Sequence, residues 1–263
     1  SPHRAERFLA VAAHALEDPP LRAVAANLSW DEDELRELAV TLSDWSIVRW
    51  DGERQMVRMH PLVRRFAEDL ISSEDSKGVH LRYSSWYGGL TFPESPTDLD
   101  QVAPRLLAIE HSLRAGKPHR ATALVFQRVG PEGHLIQWAQ RFGHHSAVID
   151  LLERIAMDVD PVERPELIVP KAALERQLGG LESALGDLDE ALEVLSAGHP
   201  AGSGDALEAL AGGLTNRGNV WLQLSRPLQA LADFDRSLSI LEGLAEEDPF
   251  RAALLPGERM NRG

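Results

Sequence analysis

The stretch LTNRGNVWLQLSRPLQALADFDRSL, Leu214 to Leu238, decides the fold. Its apolar and small residues recur at three- and four-residue spacing on both sides of Ser225-Arg226-Pro227, the pattern of two short amphipathic helices joined by a tight turn. Gly218 and Ala230 are small, so the two helices can approach closely, while Trp221 and Phe234 are expected to fill the space between units. A single hairpin of this kind cannot bury both of its faces, so neighbours must stack.

A weaker copy precedes it. In LESALGDLDEALEVL, Leu181 to Leu195, the residues Ala184, Leu188 and Ala191 repeat the small–large–small pattern of the second helix. Ala184 and Ala230 are 46 residues apart, and the loop AGHPAGSGD near 197–205 accounts for the excess over the usual repeat of roughly 34 residues. Pro170 is awkward inside the preceding helix and predicts a late start or a kink there. The triplet Asn216-Arg217-Gly218 recurs as Asn261-Arg262-Gly263, so the sequence is expected to be a piece of a longer array, an expectation that its start on Ser1 rather than Met also suits.

These residues resemble the tetratricopeptide (TPR) repeat. The resemblance implies a curved stack of helical hairpins with a concave face lined from the first helix of each unit. Here that face would carry Thr215, Asn219 and Gln223, whose side chains could pair with the extended backbone of a protein or peptide ligand; solvated surface is the other reading. Residues 98–156, where short helical patterns end at Gly116, Gly130-Pro131 and Gly143, read as degenerate hairpins of the same kind. The helices expected there are Val102 to Leu113, Ala121 to Val129, His134 to Phe142 and Ala147 to Ile155.

The first seventy residues read differently. Phe8, Val11, Ala12 and Ala15 share one helical face, and Leu21, Val24, Ala25 and Leu28 another, opened by Pro20. Ser29-Trp30-Asp31-Glu32 has the form of a capping box before the stripe Leu35, Leu38, Ala39 and Leu42. The period then falls to two in Ser46 to Trp50 and Met56 to Met59, with Asp51-Gly52 as a hairpin signal between them. Pro61 starts another helix, with Leu62, Val63, Phe66, Ala67 and Leu70 on one side. Three helices, a β-hairpin wing and a helix make a winged helix. Ser72 to Lys77 reads as a polar hinge, followed by a short helix around Leu81, Trp86 and Tyr87.

The run MVRMHPLVRRFAEDL, Met56 to Leu70, resembles the end of the winged-helix domain in signal-transduction ATPases of the STAND (NB-ARC-like) type. Met59 and His60 match that family's Met-His-Asp-like motif, with Pro61 where many members have Asp. The resemblance implies that His60 reaches the β-phosphate of ADP in a nucleotide module lying N-terminal to this chain, and so holds a resting state. Physically, the junction between a strand and a helix N-terminus suits an anion, and equally suits a histidine that only caps the helix. Both readings of His60 stand at this point.

Composition narrows the function. The chain has 263 residues with 27 Lys and Arg against 41 Asp and Glu, a net charge of −14, which repels nucleic-acid phosphates and anionic membranes. The expected third helix of the winged unit, DEDELRELAVTLSD, holds six acids and one Arg, so reading DNA with it is disfavoured. There is no cysteine, which excludes disulfides, a thiol nucleophile and Cys-ligated metal. No H-E-x-x-H, G-x-S-x-G or G-x-x-x-x-G-K-[ST] occurs, and His134, His144 and His145 lack metal-ligand spacing. Ala147 to Asp150 imitates a Walker B strand but lies in a helical pattern. No apolar run approaches a membrane span and no signal peptide opens the chain.

The expectation is therefore a mainly α protein: a winged helix over 1–73, helical linker or degenerate hairpins over 74–157, and TPR repeats over 158–263. It is expected to be cytoplasmic, from a GC-rich bacterial genome given its Arg, Ala, Leu and Gly usage. No catalytic residue, metal or cofactor is expected in the chain itself, with ADP or ATP bound by the parent protein. The leading function is regulation: the winged helix relays nucleotide state and the repeats sense a protein or peptide. A DNA-binding regulator with a repeat-built effector domain and a plain TPR scaffold are the alternatives.

Overall fold

A computed structural model describes residues 20–44, 46–59, 62–63, 65–66, 72–131, 133–197 and 204–247. The expected helix at Phe8 to Ala15, His60 and Pro61, most of the helix after Pro61, and Asn261-Arg262-Gly263 lie outside the described residues. The described chain is mainly helical, with eleven helices and two small two-stranded sheets, and divides into two compact units, Ser1–Val125 and Phe126–Gly263.

In the first unit, α1 (Leu21–Leu28) and α2 (Glu32–Asp44) pack with the antiparallel pair β1 (Val48–Asp51) and β2 (Met56–Met59). Their shared core is Leu21, Val24, Leu35, Ala39, Leu42, Val48, Val57 and Met59, so the stripes expected from spacing are the faces that are buried; Leu28 and Leu38 are only partly covered. Pro20 extends the hairpin rather than opening the helix: it bridges Met56, and the Leu21 N–H donates to the Gln55 carbonyl at 2.8 Å.

Two local expectations are corrected. The cap of α2 is Asp31, whose Oδ1 accepts the N–H groups of Asp33 (2.9 Å) and Glu34 (3.1 Å). Ser29 instead closes α1 in a left-handed conformation, φ 54°. An N-cap needs an extended backbone, which Ser29 in its left-handed conformation does not offer, so the role falls to Asp31. The hairpin turn is four residues, Gly52 to Gln55, rather than a tight Asp-Gly pair. Asp51 Oδ1 accepts from Arg54 N at 3.1 Å, and Gln55, not Gly52, takes the positive φ of 52°.

The expected polar hinge at Ser72 is the first turn of a long helix, α3 (Ser73–Gly88), whose cap Ser72 Oγ accepts from Asp75 N at 3.1 Å. Glu74 and Asp75 complement the helix dipole there, which is why a polar run makes a helix start and not a hinge. It packs against α4 (Leu99–Arg114), and α5 (Pro118–Phe126) follows after Gly116 at φ 64°. His111 on α4 is buried against the rings of Tyr83 and Tyr87, with centroids 5.1 and 5.6 Å away, and its Nδ1 lies 2.9 Å from Nδ1 of His80. Burial, aided by the His80 and Arg114 charges and opposed by Glu110, pushes His111 down to about 4.

In the second unit the helix expected through Val129 has already stopped at Phe126. Arg128–Gly130 (β3) pairs with Gly133–His134 (β4), where Gly133 holds φ 112°. Then come α6 (Leu135–Phe142), α7 (His145–Asp158), α8 (Pro165–Gln177), α9 (Leu181–Ala197), α10 (Gly204–Gln223) and α11 (Pro227–Glu247). Pro165 opens α8, and Pro170 lies within that helix.

Candidate functional site

The α8–α9 and α10–α11 hairpins are two copies of one unit at a spacing of 46 residues. The turns share their closing bond. The Gly180 N–H donates to the Glu175 carbonyl (3.0 Å) and the Arg226 N–H to the Trp221 carbonyl (2.8 Å). The left-handed turn residue is Gly179 in one copy, φ 84°, and Ser225 in the other, φ 58°. This is the helix ending in which the N–H two residues past the cap reaches back to a free carbonyl.

Inside the second copy, Gly218 faces the Phe234 ring so closely that a Cβ would fall 2.5 to 2.9 Å from three ring atoms. In the first copy the same two positions hold Ala172 and Leu188, both fully buried. The smaller aliphatic side chain leaves room for a methyl group. Val220 of α10 joins that first core with Ala172, Ala184 and Leu188, so adjacent hairpins share one interior. Phe234 packs on Gly218 within its own hairpin. Trp221 is half-buried, with the Arg226 guanidinium 5.3 Å over its ring.

Charge pairs repeat with the fold. Lys171 Nζ donates to Asp187 Oδ2 at 2.6 Å and lies 3.0 Å from Glu175 Oε1. One copy later, Arg217 grips both oxygens of Asp233, through Nε at 2.8 Å and Nη2 at 2.7 Å, while its Nη1 reaches Asp189 of the preceding hairpin at 2.7 Å. Burial by itself lowers the Lys171 pKa, but the bonds to Asp187 and Glu175 outweigh it and the net shift is upward. Arg217 is raised, chiefly by the bond to Asp233. Sequence reasoning missed these pairs, although Lys171 with Asp187 and Arg217 with Asp233 share one separation of 16 residues.

The three residues expected on a concave face differ in placement. Thr215 is buried: its hydroxyl lies 2.9 Å from that of Ser237, and both lie within 3.0 Å of the Ala211 carbonyl oxygen. Asn219 is half-buried and Gln223 exposed. An open groove of about 300 Å³ between α7, α8 and α9 is lined by Glu153, Met157 and Glu190 around the Lys171–Asp187 pair.

The histidines expected not to form a metal site are engaged separately: His134 edge-on to Phe126, His144 stacked on Trp138 at 4.8 Å, and His145 Nε2 2.7 Å from Gln177 Oε1. Among the described residues no three His, Asp or Glu are placed to hold a metal ion, and no helix is long and apolar enough to cross a membrane. On α2 the single base, Arg36, is paired with Glu32 at 3.2 Å and with Asp33.

No family model matches the chain, and no curated protein matches it. It is similar to the crystal structure of the Signal Transduction ATPase with Numerous Domains (STAND) protein with a tetratricopeptide repeat sensor from Pyrococcus horikoshii, at 14% identity and a TM-score of 0.37. The similarity covers 97% of this chain and 46% of that one, so the chain spans about half the length of the protein it matches. At that score two helical chains can overlay without sharing one arrangement, and the repeat stands on its own contacts, described above.

Proposed function

We propose that this chain is the regulatory and protein-interaction part of a STAND-type signalling ATPase. In this reading α1, α2 and the β1–β2 hairpin belong to a winged helix that relays nucleotide state, and the hairpins from α8 onward are a TPR-type array that senses a protein or peptide. The observation that carries the sensor half is the Gly218–Phe234 contact, within hairpins repeated turn for turn and charge for charge. The nucleotide half rests on the Met59-His60 resemblance in the sequence. Arg36, tied to the acids of its own helix, supports a protein-packing role for α2 over phosphate contact.

Calorimetry with ADP and ATP tests the division of labour. This chain alone is expected to show no micromolar binding. In a longer protein carrying the nucleotide module, His60→Ala is expected to raise basal activity and ADP release. A charge-assisted hydrogen bond contributes about 1.5–3 kcal/mol, enough to shift a closed–open equilibrium roughly tenfold or more. Unchanged basal output together with unchanged ADP retention rejects the relay. Salt-sensitive duplex DNA binding by the chain rejects the protein-packing role of α2.

A further inference from the structure

Lys171 and Arg217 occupy the same place in successive hairpins, 46 residues apart, but reach different partners. Arg217 spans outward: it holds Asp233 of its own hairpin and, through Nη1, reaches Asp189 on the preceding helix at 2.7 Å. Lys171 stays within its own hairpin, with Nζ 2.6 Å from Asp187 and 3.0 Å from Glu175. An ammonium is a compact charge and lacks the guanidinium fork that holds carboxylates on two sides. Across from Lys171, α7 presents Glu153 over the open groove of about 300 Å³, and α9 adds Glu190. Both glutamates are exposed, and neither is engaged by a cation among the described residues. Met157, 69% exposed, and Ile168 give the groove an apolar wall. Its cations are Lys171 and, two turns earlier at the start of α8, Arg164. With Glu175 included, four carboxylates stand against these two cations, a balance of −2 in a chain of net charge −14.

We propose that this groove is a docking site for an arginine side chain carried by a basic protein or peptide segment. The guanidinium meets Glu153 and Glu190, as Arg217 meets Asp189 and Asp233, and the methylene stem lies along Met157 and Ile168. Charge complementarity selects the occupant: the unengaged side chains on the two flanking helices are acids, and the same chain shows, one hairpin later, what such acids hold. The site is separate from Thr215, Asn219 and Gln223, none of which lines the groove. The inference rests on the protein-sensing part of the functional reading, whose partner it assigns a chemistry, and is independent of the nucleotide part.

The test uses the full chain, isotope-labelled at the methyl groups of its four methionines, Met56, Met59, Met157 and Met260, of which Met157 lines the groove. NMR titration with the capped peptide Gly-Ser-Arg-Ser-Gly is expected to move the Met157 resonance saturably and to leave Met56 and Met59 in place. The same peptide with citrulline for arginine keeps the shape, loses the charge and should leave Met157 unmoved. Glu153→Gln combined with Glu190→Gln should raise Kd at least about fivefold, as the loss of two solvent-facing ion pairs predicts. Glu182→Gln combined with Glu246→Gln removes the same charge from exposed positions outside the groove and should leave Kd unchanged. All four substitutions are at exposed positions, and circular dichroism confirms that each variant is folded. An unmoved Met157, equal binding of the citrulline peptide, an unaltered Kd in the Glu153–Glu190 variant, or equal weakening by both double variants overturns the proposal. Stability unaffected by Gly218→Ala would instead count against the repeat packing itself, so the two failures are distinguishable.

Discussion

Gly218 and Phe234 touch across the α10–α11 hairpin with no space for even a methyl group between them. The same positions one repeat earlier hold Ala172 and Leu188. Each hairpin has one small and one large partner, and the sum of their sizes sets how near the two helices lie. Gly218→Ala should therefore destabilise the protein by about 1–3 kcal/mol from overpacking, even though alanine is the better helix former by about 1 kcal/mol. The double variant Gly218→Ala, Phe234→Leu reproduces the Ala172–Leu188 pair and should recover part of the loss. Thermal unfolding of the four proteins in the cycle measures the coupling, and a Gly218→Ala protein as stable as the parent would contradict the steric account.

Arg217 joins two hairpins through carboxylates in very different settings. Asp233 is 6% exposed, whereas the side chain of Asp189 is 55% exposed. Arg217→Met leaves the buried Asp233 carboxylate without this partner and should cost roughly 3 kcal/mol. Asp189→Asn removes only a solvent-screened contact and should cost less than about 1 kcal/mol. Denaturant midpoints that rank these two variants in the opposite order would show that the inter-hairpin contact dominates.

The His80–His111 pair makes stability depend on pH. Folding holds His111 neutral, so its folded pKa of about 4 lies below the ordinary 6.5. The unfolded chain then binds more protons. The contribution of up to about 3 kcal/mol is complete above pH 6.5 and drains away as pH falls from 6.5 toward 4. The charged groups acting on the ring are His80, Arg114 and Glu110. Urea unfolding across that window should show the loss in the wild type and a flatter slope in His111→Gln. An imidazole of His111 that titrates near 6.5 by NMR would refute the assignment.

At the α1–α2 junction, Asp31→Ala should cost about 1 kcal/mol, because it frees the N–H groups of Asp33 and Glu34. Ser29→Gly should be close to neutral, since relief of the left-handed backbone offsets the added freedom of the unfolded chain. A larger loss from Ser29→Gly than from Asp31→Ala, read in thermal melts, would restore the capping box expected from the sequence.

The helices were legible wherever apolar spacing was regular. Leu35, Ala39 and Leu42, or Ala184, Leu188 and Ala191, are buried as their intervals require. Errors gathered at boundaries. Ser72 to Lys77 looked like a hinge because capping residues and acids are polar, yet those are the residues a helix start uses. Val129 looked helical by hydrophobicity, but Gly130-Pro131 and Gly133 bring the backbone into a short sheet instead. Of the candidate partner residues, Thr215 was chosen by helical position alone, and the Ser237 hydroxyl that engages it lies 22 residues away.

Local order thus came from periodicity. Repeating side-chain intervals dictate which stripe of each helix avoids water, and equal 46-residue spacing brings back the same turn, the same small–large pair and the same cation with its acid. Which atoms then meet was a matter for three-dimensional packing. That Phe234 lies over Gly218, that Arg217 spans two hairpins, and that His111 meets two tyrosines depend on how closely neighbouring helices approach. Such distances are set by the side chains of several helices acting together and are encoded in no single segment.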